Sequence, residues 1–137
     1  MLCNSIDAMG TLAPAVIGAT TFTTDMVMAP CGAAYRVTGD VVIPEGVTLT
    51  VLPGTTIFFE QNAGFSFDGG RLLAEGTEFA PIRFTRAPEA TASWDGIKLN
   101  DSTVDNRISH AILEYATTED GMVALRGPQL QLSLIHM

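Results

Sequence analysis

From Arg36 onward the chain alternates. Short runs rich in Val, Ile, Thr and Phe set apolar residues at every second position, and Gly, Pro or Asp interrupts them at close intervals. Successive side chains of an extended strand point to opposite faces, so this pattern predicts half-buried β-strands. The clearest is Val47-Thr48-Leu49-Thr50-Val51, with Val47, Leu49 and Val51 facing a core and Thr48 and Thr50 facing away. Further strands are predicted over residues 41–43, 56–60, 65–68, 71–74, 82–86, 97–100, 108–115, 122–125 and 130–135. Turn residues separate them: Pro44-Glu45-Gly46, Pro53-Gly54, Gly69-Gly70, Glu75-Gly76, Asp95-Gly96, Asp120-Gly121 and Gly127-Pro128. No window long enough for a helix carries a helical repeat.

An all-β chain of short, regularly spaced strands fits either a β-sandwich or a solenoid. Pro53-Gly54-Thr55 recurs as Glu75-Gly76-Thr77 about 22 residues later, and Trp94-Asp95-Gly96-Ile97 opens another run at a similar interval. That is a solenoid period. The repeat lies in the turns more than in the strand phase, because Leu72 and Leu73 are adjacent and cannot both point inward. In a solenoid each coil buries its apolar face against stacked neighbours, which suits strands this short.

Composition narrows the class. The 137 residues are 47% apolar and only 16% charged, which favours one packed domain over a disordered segment. No apolar run approaches the ~18 residues of a membrane helix, so membrane insertion is not expected. The formal net charge of -8 and seven scattered Lys and Arg residues make nucleic acid an unexpected partner. The first basic residue is Arg36, and Pro14 and Gly18 break the early apolar stretch, so no secretory signal is visible. Two readings stand: a cytoplasmic protein, or a piece of a longer exported one whose signal lay upstream. Cys3 and Cys31 are a candidate disulfide in an extracellular setting, although buried free thiols are just as common.

The run Tyr35-Arg36-Val37-Thr38-Gly39-Asp40-Val41-Val42-Ile43-Pro44-Glu45-Gly46-Val47-Thr48-Leu49-Thr50-Val51-Leu52-Pro53-Gly54-Thr55 resembles the first coils of bacterial right-handed parallel β-helix repeat proteins with pectin-lyase-like architecture. Gly70-Arg71-Leu72-Leu73-Ala74-Glu75-Gly76-Thr77, Ala80-Pro81-Ile82-Arg83-Phe84-Thr85 and Trp94-Asp95-Gly96-Ile97 follow in the order and spacing typical of that group. The group more often has Gly where Asp95 stands. The resemblance covers residues from about Thr23 to the carboxyl end. It implies a right-handed parallel β-helix of about four or five coils over residues 35–137, preceded by an amino-terminal cap or strand region over 1–34. A β-sandwich is the alternative. The resemblance also implies an exported protein, secreted or at the cell surface, and members of the group often have no known activity.

Candidate chemistry is sparse. Gly46, Gly54 and Gly76 sit where the chain must turn between strands, which glycine does at positive φ without steric cost. Trp94 and Gly96 open the next strand, and Trp94 is expected as a packing residue rather than a ligand platform. Phe58, Phe59, Phe65, Phe67, Phe79 and Phe84 are expected to stack inward. Polysaccharide lyases and hydrolases on β-helices use carboxylates, sometimes with calcium, and an Arg or Lys base. Asp95, Lys98, Asp101 and Asp105 are the candidate catalytic set, with His110 and Glu114 one short strand later. Asp95, Asp101 and Asp105 are also candidate calcium ligands, although their spacing matches no defined loop and residues 100–106 read as loop. His110 lacks a second ligand at metal spacing, and no other cofactor is implied.

Because the residues supply a fold and little chemistry, the expected function is a non-catalytic extracytoplasmic scaffold or interaction module, with carbohydrate or a surface protein as partner. A carbohydrate-active enzyme is the alternative, its catalytic coil lying at residues 95–105 or in a missing continuation. The region up to about Pro30 is expected to cover the open first coil. At the other end, the alternating residues Leu130 to Ile135 predict a strand with an exposed edge, satisfied by further coils or by end-to-end self-association.

Overall fold

The computed structural model describes residues 11–30, 34–100, 105–116, 123–126 and 129–136. These form β-strands and connections, with no helix among them: β1 (Thr11–Leu12), β2 (Val16–Ile17), β3 (Thr20–Thr21), β4 (Met26–Met28), β5 (Tyr35–Val37), β6 (Asp40–Pro44), β7 (Thr48–Val51) and β8 (Thr56–Phe59). They continue as β9 (Gly64–Asp68), β10 (Arg71–Glu75), β11 (Ile82–Arg86), β12 (Gly96–Asn100), β13 (Asp105–Leu113), β14 (Val123–Arg126) and β15 (Gln129–His136).

Pairing follows a step of three strands. β1, β4, β7, β10 and β13 lie side by side, as do β2, β5, β8 and β11, and as do β3, β6, β9, β12 and β14. Every ladder between described strands is parallel, and the one antiparallel contact is an isolated bridge between Pro44 and Gly69. Parallel neighbours cannot be joined by hairpins, so the chain passes through other strands before it returns beside an earlier one. A β-sandwich, which is built from antiparallel sheets, does not fit. The result is an all-β arrangement of parallel strands in two curled sheets, consistent with a solenoid.

The two long columns merge into one sheet because β13 spans both. Its residues Arg107 to Ser109 pair with β10, and Ala111 to Leu113 pair with β11. Residues 76–81, which join β10 to β11 one level earlier, are here replaced by His110 alone, at φ 47°. A non-glycine residue in that left-handed region turns the strand sharply. β15 pairs along the whole of β13, from Asp105 opposite Gln129 to Ile112 opposite His136.

Alternation decides which side chains are inside. Leu49 and Val51 are buried while Thr48 and Thr50 are half-buried; Leu72 is inside and Leu73 outside. The register then stacks like on like: Leu49 beside Leu72, Val41 beside Phe65, Phe65 beside Ile97, and Ile43 beside Phe67. Each such side chain withdrawn from water stabilises by roughly 1.5–3 kcal/mol. Trp94 is fully buried and stacks on Phe59 with ring centroids 4.0 Å apart and planes 6° from parallel. Phe65 meets Phe59 edge-on at 5.1 Å, and Phe84 lies 6.5 Å from it. Two of the phenylalanines expected inside are not. Phe58 alternates outward next to Phe59, and Phe79, in the connection between β10 and β11, is 93% exposed.

Two further expectations change. Gly46, Gly54 and Gly96 have positive φ, but Gly76 does not; there a Cβ would lie 2.5 Å from the His110 carbonyl oxygen, so close approach rather than φ requires glycine. Asp105 and Asn106, expected in a loop, belong to β13, and Asn106 is buried with its Oδ1 accepting from the Leu72 N–H at 2.7 Å. Within residues 1–34, expected as a cap or strand region, the described part forms β1 to β4, which pair in parallel with β4, β5, β6 and β7. Cys3, Cys31 and Asp101 lie outside the described residues.

Candidate functional site

Two outward faces carry charge. The first is built by β6, β9 and β12, where Asp40, Gly64 and Gly96 are in register and, two residues on, Val42, Ser66 and Lys98. Lys98 is the chain's one lysine. Asp95 precedes β12, and its N–H donates to the Ala63 carbonyl at 2.7 Å. A Cβ at Gly64 would stand 2.6 Å from the Gly96 carbonyl oxygen and 3.1 Å from the Asp95 Cβ, so glycine there lets β12 approach β9 closely. Burial pushes the Asp40 carboxyl above its ordinary value; the charge of Asp95 adds to the shift and that of Lys98 opposes it.

Asp40, which is outside the expected set, shares this face with Lys98 and interacts electrostatically with Asp95. Asp105 opens β13, beyond the five residues of β12, which span about 16 Å at ordinary strand rise. Asp101, the middle member of the candidate calcium set, lies outside the described residues, while Asp95 precedes β12 and Asp105 opens β13. Among the described residues no three His, Cys, Asp or Glu side chains converge as metal ligands. Asp40 enters through strand register alone, 55 positions from Asp95 by number.

The second face lies outside β5, β8 and β11. Arg36 donates through Nε to Glu60 Oε2 at 2.9 Å and also pairs with Glu89. Arg83 grips Glu114 Oε1 with Nε at 2.7 Å and its terminal nitrogen at 2.6 Å. Glu114, expected beside the acid cluster, is thus held by Arg83 instead, and His110 forms the corner of β13. Next to Glu114, Tyr115 is 51% exposed, and the Arg86 guanidinium sits 4.2 Å above its ring centroid. The Tyr115 backbone is left-handed at φ 62°. Trp94 holds it there: its backbone N–H donates to the Tyr115 carbonyl at 3.2 Å and its indole N–H to the Glu114 carbonyl at 2.7 Å.

Sequence reading did not find Arg83, Arg86 or Tyr115 as a group, because their spacing follows no motif; Arg83 and Glu114 are 31 residues apart. The available signal was weak: two arginines bracketing an alternating strand, and a Glu-Tyr pair after an apolar run.

Between these faces and the core, a cavity of about 100 Å³ is lined by Ala29, Pro30, Ala34, Tyr35, Gly54, Thr55 and Thr56. It is smaller than the ~300–1,000 Å³ of small-molecule pockets. Its polar groups are engaged: the Tyr35 hydroxyl accepts from the Ala29 N–H at 3.1 Å, and the Thr55 hydroxyl donates to the Leu52 carbonyl at 2.8 Å. The chemistry on view is ion pairing and aromatic display on sheet faces, with one carboxylate pair beside a lysine. No family model, curated protein or solved structure matches the chain.

Proposed function

We propose that the chain forms coils of a right-handed parallel β-helix of pectin-lyase-like type, from an exported bacterial protein, and serves as a non-catalytic scaffold or interaction module. Carbohydrate or another surface protein is the partner. One observation carries this reading: the charged side chains outside β5, β8 and β11 are matched in pairs along a sheet face, Arg36 with Glu60 and Glu89 and Arg83 with Glu114. Paired charges of that kind contribute only ~0.2–1 kcal/mol each to stability. They present donors and acceptors to a partner without supplying an unpaired base.

A second reading has its own observation. Asp40, with its pKa raised by burial and by the charge of Asp95, shares a sheet face with Lys98, and a carboxyl and an amine on one face are the groups that acid–base cleavage of a glycan would use. On that reading the protein is a carbohydrate-active enzyme. A screen of acidic and neutral polysaccharides, scored for both depolymerisation and retention, separates the two. Retention without cleavage supports the module; cleavage lost in Asp40→Asn or Asp101→Ala supports the enzyme.

A further inference from the structure

We propose that Tyr115 and Arg86 form a stacking platform for a pyranose unit of a neutral glycan, with the Arg83–Glu114 pair bonding its hydroxyls. This deepens the interaction-module reading and rests on it. Tyr115 is half exposed, and unlike the exposed Phe79 of the β10–β11 connection its ring has a guanidinium, that of Arg86, against it. Its left-handed φ of 62° is unfavourable for a bulky residue, and such strain persists only where the surroundings enforce it. Here they do: the buried Trp94 binds both the Glu114 and Tyr115 carbonyls and turns the phenol outward. A ring needed only for packing would not require that conformation.

Ligand chemistry follows from the neighbours. An aromatic ring stacks against the apolar C–H face of a pyranose, and hydroxyls at the sugar's rim then need donors and acceptors together. Arg86 lies against the ring, and Glu114, the residue next to Tyr115, is bonded through its one oxygen Oε1 by two nitrogens of Arg83. Guanidinium donors and a carboxylate acceptor side by side match vicinal hydroxyls. Arg83 is neutralised by Glu114, and the chain's net charge of -8 repels polyanions, which selects a neutral over an acidic glycan.

Affinity electrophoresis of the full chain in gels containing glucomannan or alginate tests this. Tyr115→Phe keeps the ring, and Tyr115→Asn removes it while accepting the left-handed backbone, so both variants should fold. The expected result is retardation of wild type and Tyr115→Phe by glucomannan alone, with about tenfold weaker binding for Tyr115→Asn and no loss of Tm. The fluorescence of Trp94, the chain's one tryptophan, should respond to glucomannan in the wild type and not in Tyr115→Asn. Equal glucomannan binding by Tyr115→Asn, or wild-type binding of alginate alone or of neither polymer, overturns the platform and leaves the module reading standing. Cleavage of glucomannan by the wild type overturns the module reading instead, whatever Tyr115 does.

Discussion

At Gly76 a Cβ would meet the His110 carbonyl oxygen at 2.5 Å, whereas at Gly46, with φ +88°, nothing stands within 4 Å. The two glycines answer different constraints, so alanine should cost differently. At Gly46 the expense is backbone conformation, about 1–2 kcal/mol. At Gly76 backbone must move against backbone between adjacent levels of the stack, and the loss should reach about 3 kcal/mol. Urea denaturation of both variants checks the order; an equal or larger loss for Gly46→Ala would contradict the close contact. Asp40 makes a prediction in pH. Its folded pKa lies above the ordinary 3.8, so the folded state holds the proton more tightly than the unfolded chain. The stability it contributes is present at acid pH and lost as pH rises through the folded value. Asp40→Asn should match wild type near pH 3 and exceed it near pH 7. A variant less stable than wild type at neutral pH would show that the Asp40 charge is favourably held there.

At the scale of elements, the aromatic column joins successive levels. Phe59 on β8 contacts Trp94, Phe65 and Phe84, which belong to three other segments. Trp94→Ala should therefore cost about 3–5 kcal/mol, and by removing the indole donor it should free the Glu114 carbonyl and loosen the turn at Tyr115, although the backbone N–H to the Tyr115 carbonyl stays. Thermal unfolding together with glucomannan retardation reads both effects; a stability loss under about 1 kcal/mol would contradict the packing role. Strands were legible wherever alternation was unbroken. β7 and β11 lie where Val47-Thr48-Leu49-Thr50-Val51 and residues 82–86 place them. β13 was misread at its start because Asp105 and Asn106 look like solvent-facing loop residues. Asn106 is buried because its side-chain oxygen stands in for a backbone acceptor at Leu72, a long-range bond without local signature. β1 to β3 are two residues long each, too short for any periodicity to show.

For the whole molecule, β15 pairs with β13 on one side, and no described strand pairs with its other edge. A parallel edge without a strand partner templates further pairing, so we propose that the chain associates through residues Leu130 to Ile135. Sedimentation at increasing concentration should show a rising mean mass, reduced in a Leu132→Lys, Leu134→Lys double variant. A monomer at all concentrations would count against it.

By itself the sequence determined the strands with unbroken alternation, such as β7 and β11, most of their inward residues and the absence of a long helical repeat, because all three follow from alternation between neighbours in the chain. Tertiary structure decided what those strands bring together. Asp40 reaches Asp95 and Lys98 across β9, Arg83 reaches Glu114 across 31 residues, and Trp94 sets the backbone of Tyr115. Each of these depends on the register between levels of the stack, and that register is set by connection lengths and core packing. Connection length varies along this chain, from residues 76–81 between β10 and β11 to the single His110 within β13. No fixed spacing therefore links the partners, and only the folded stack could pair them.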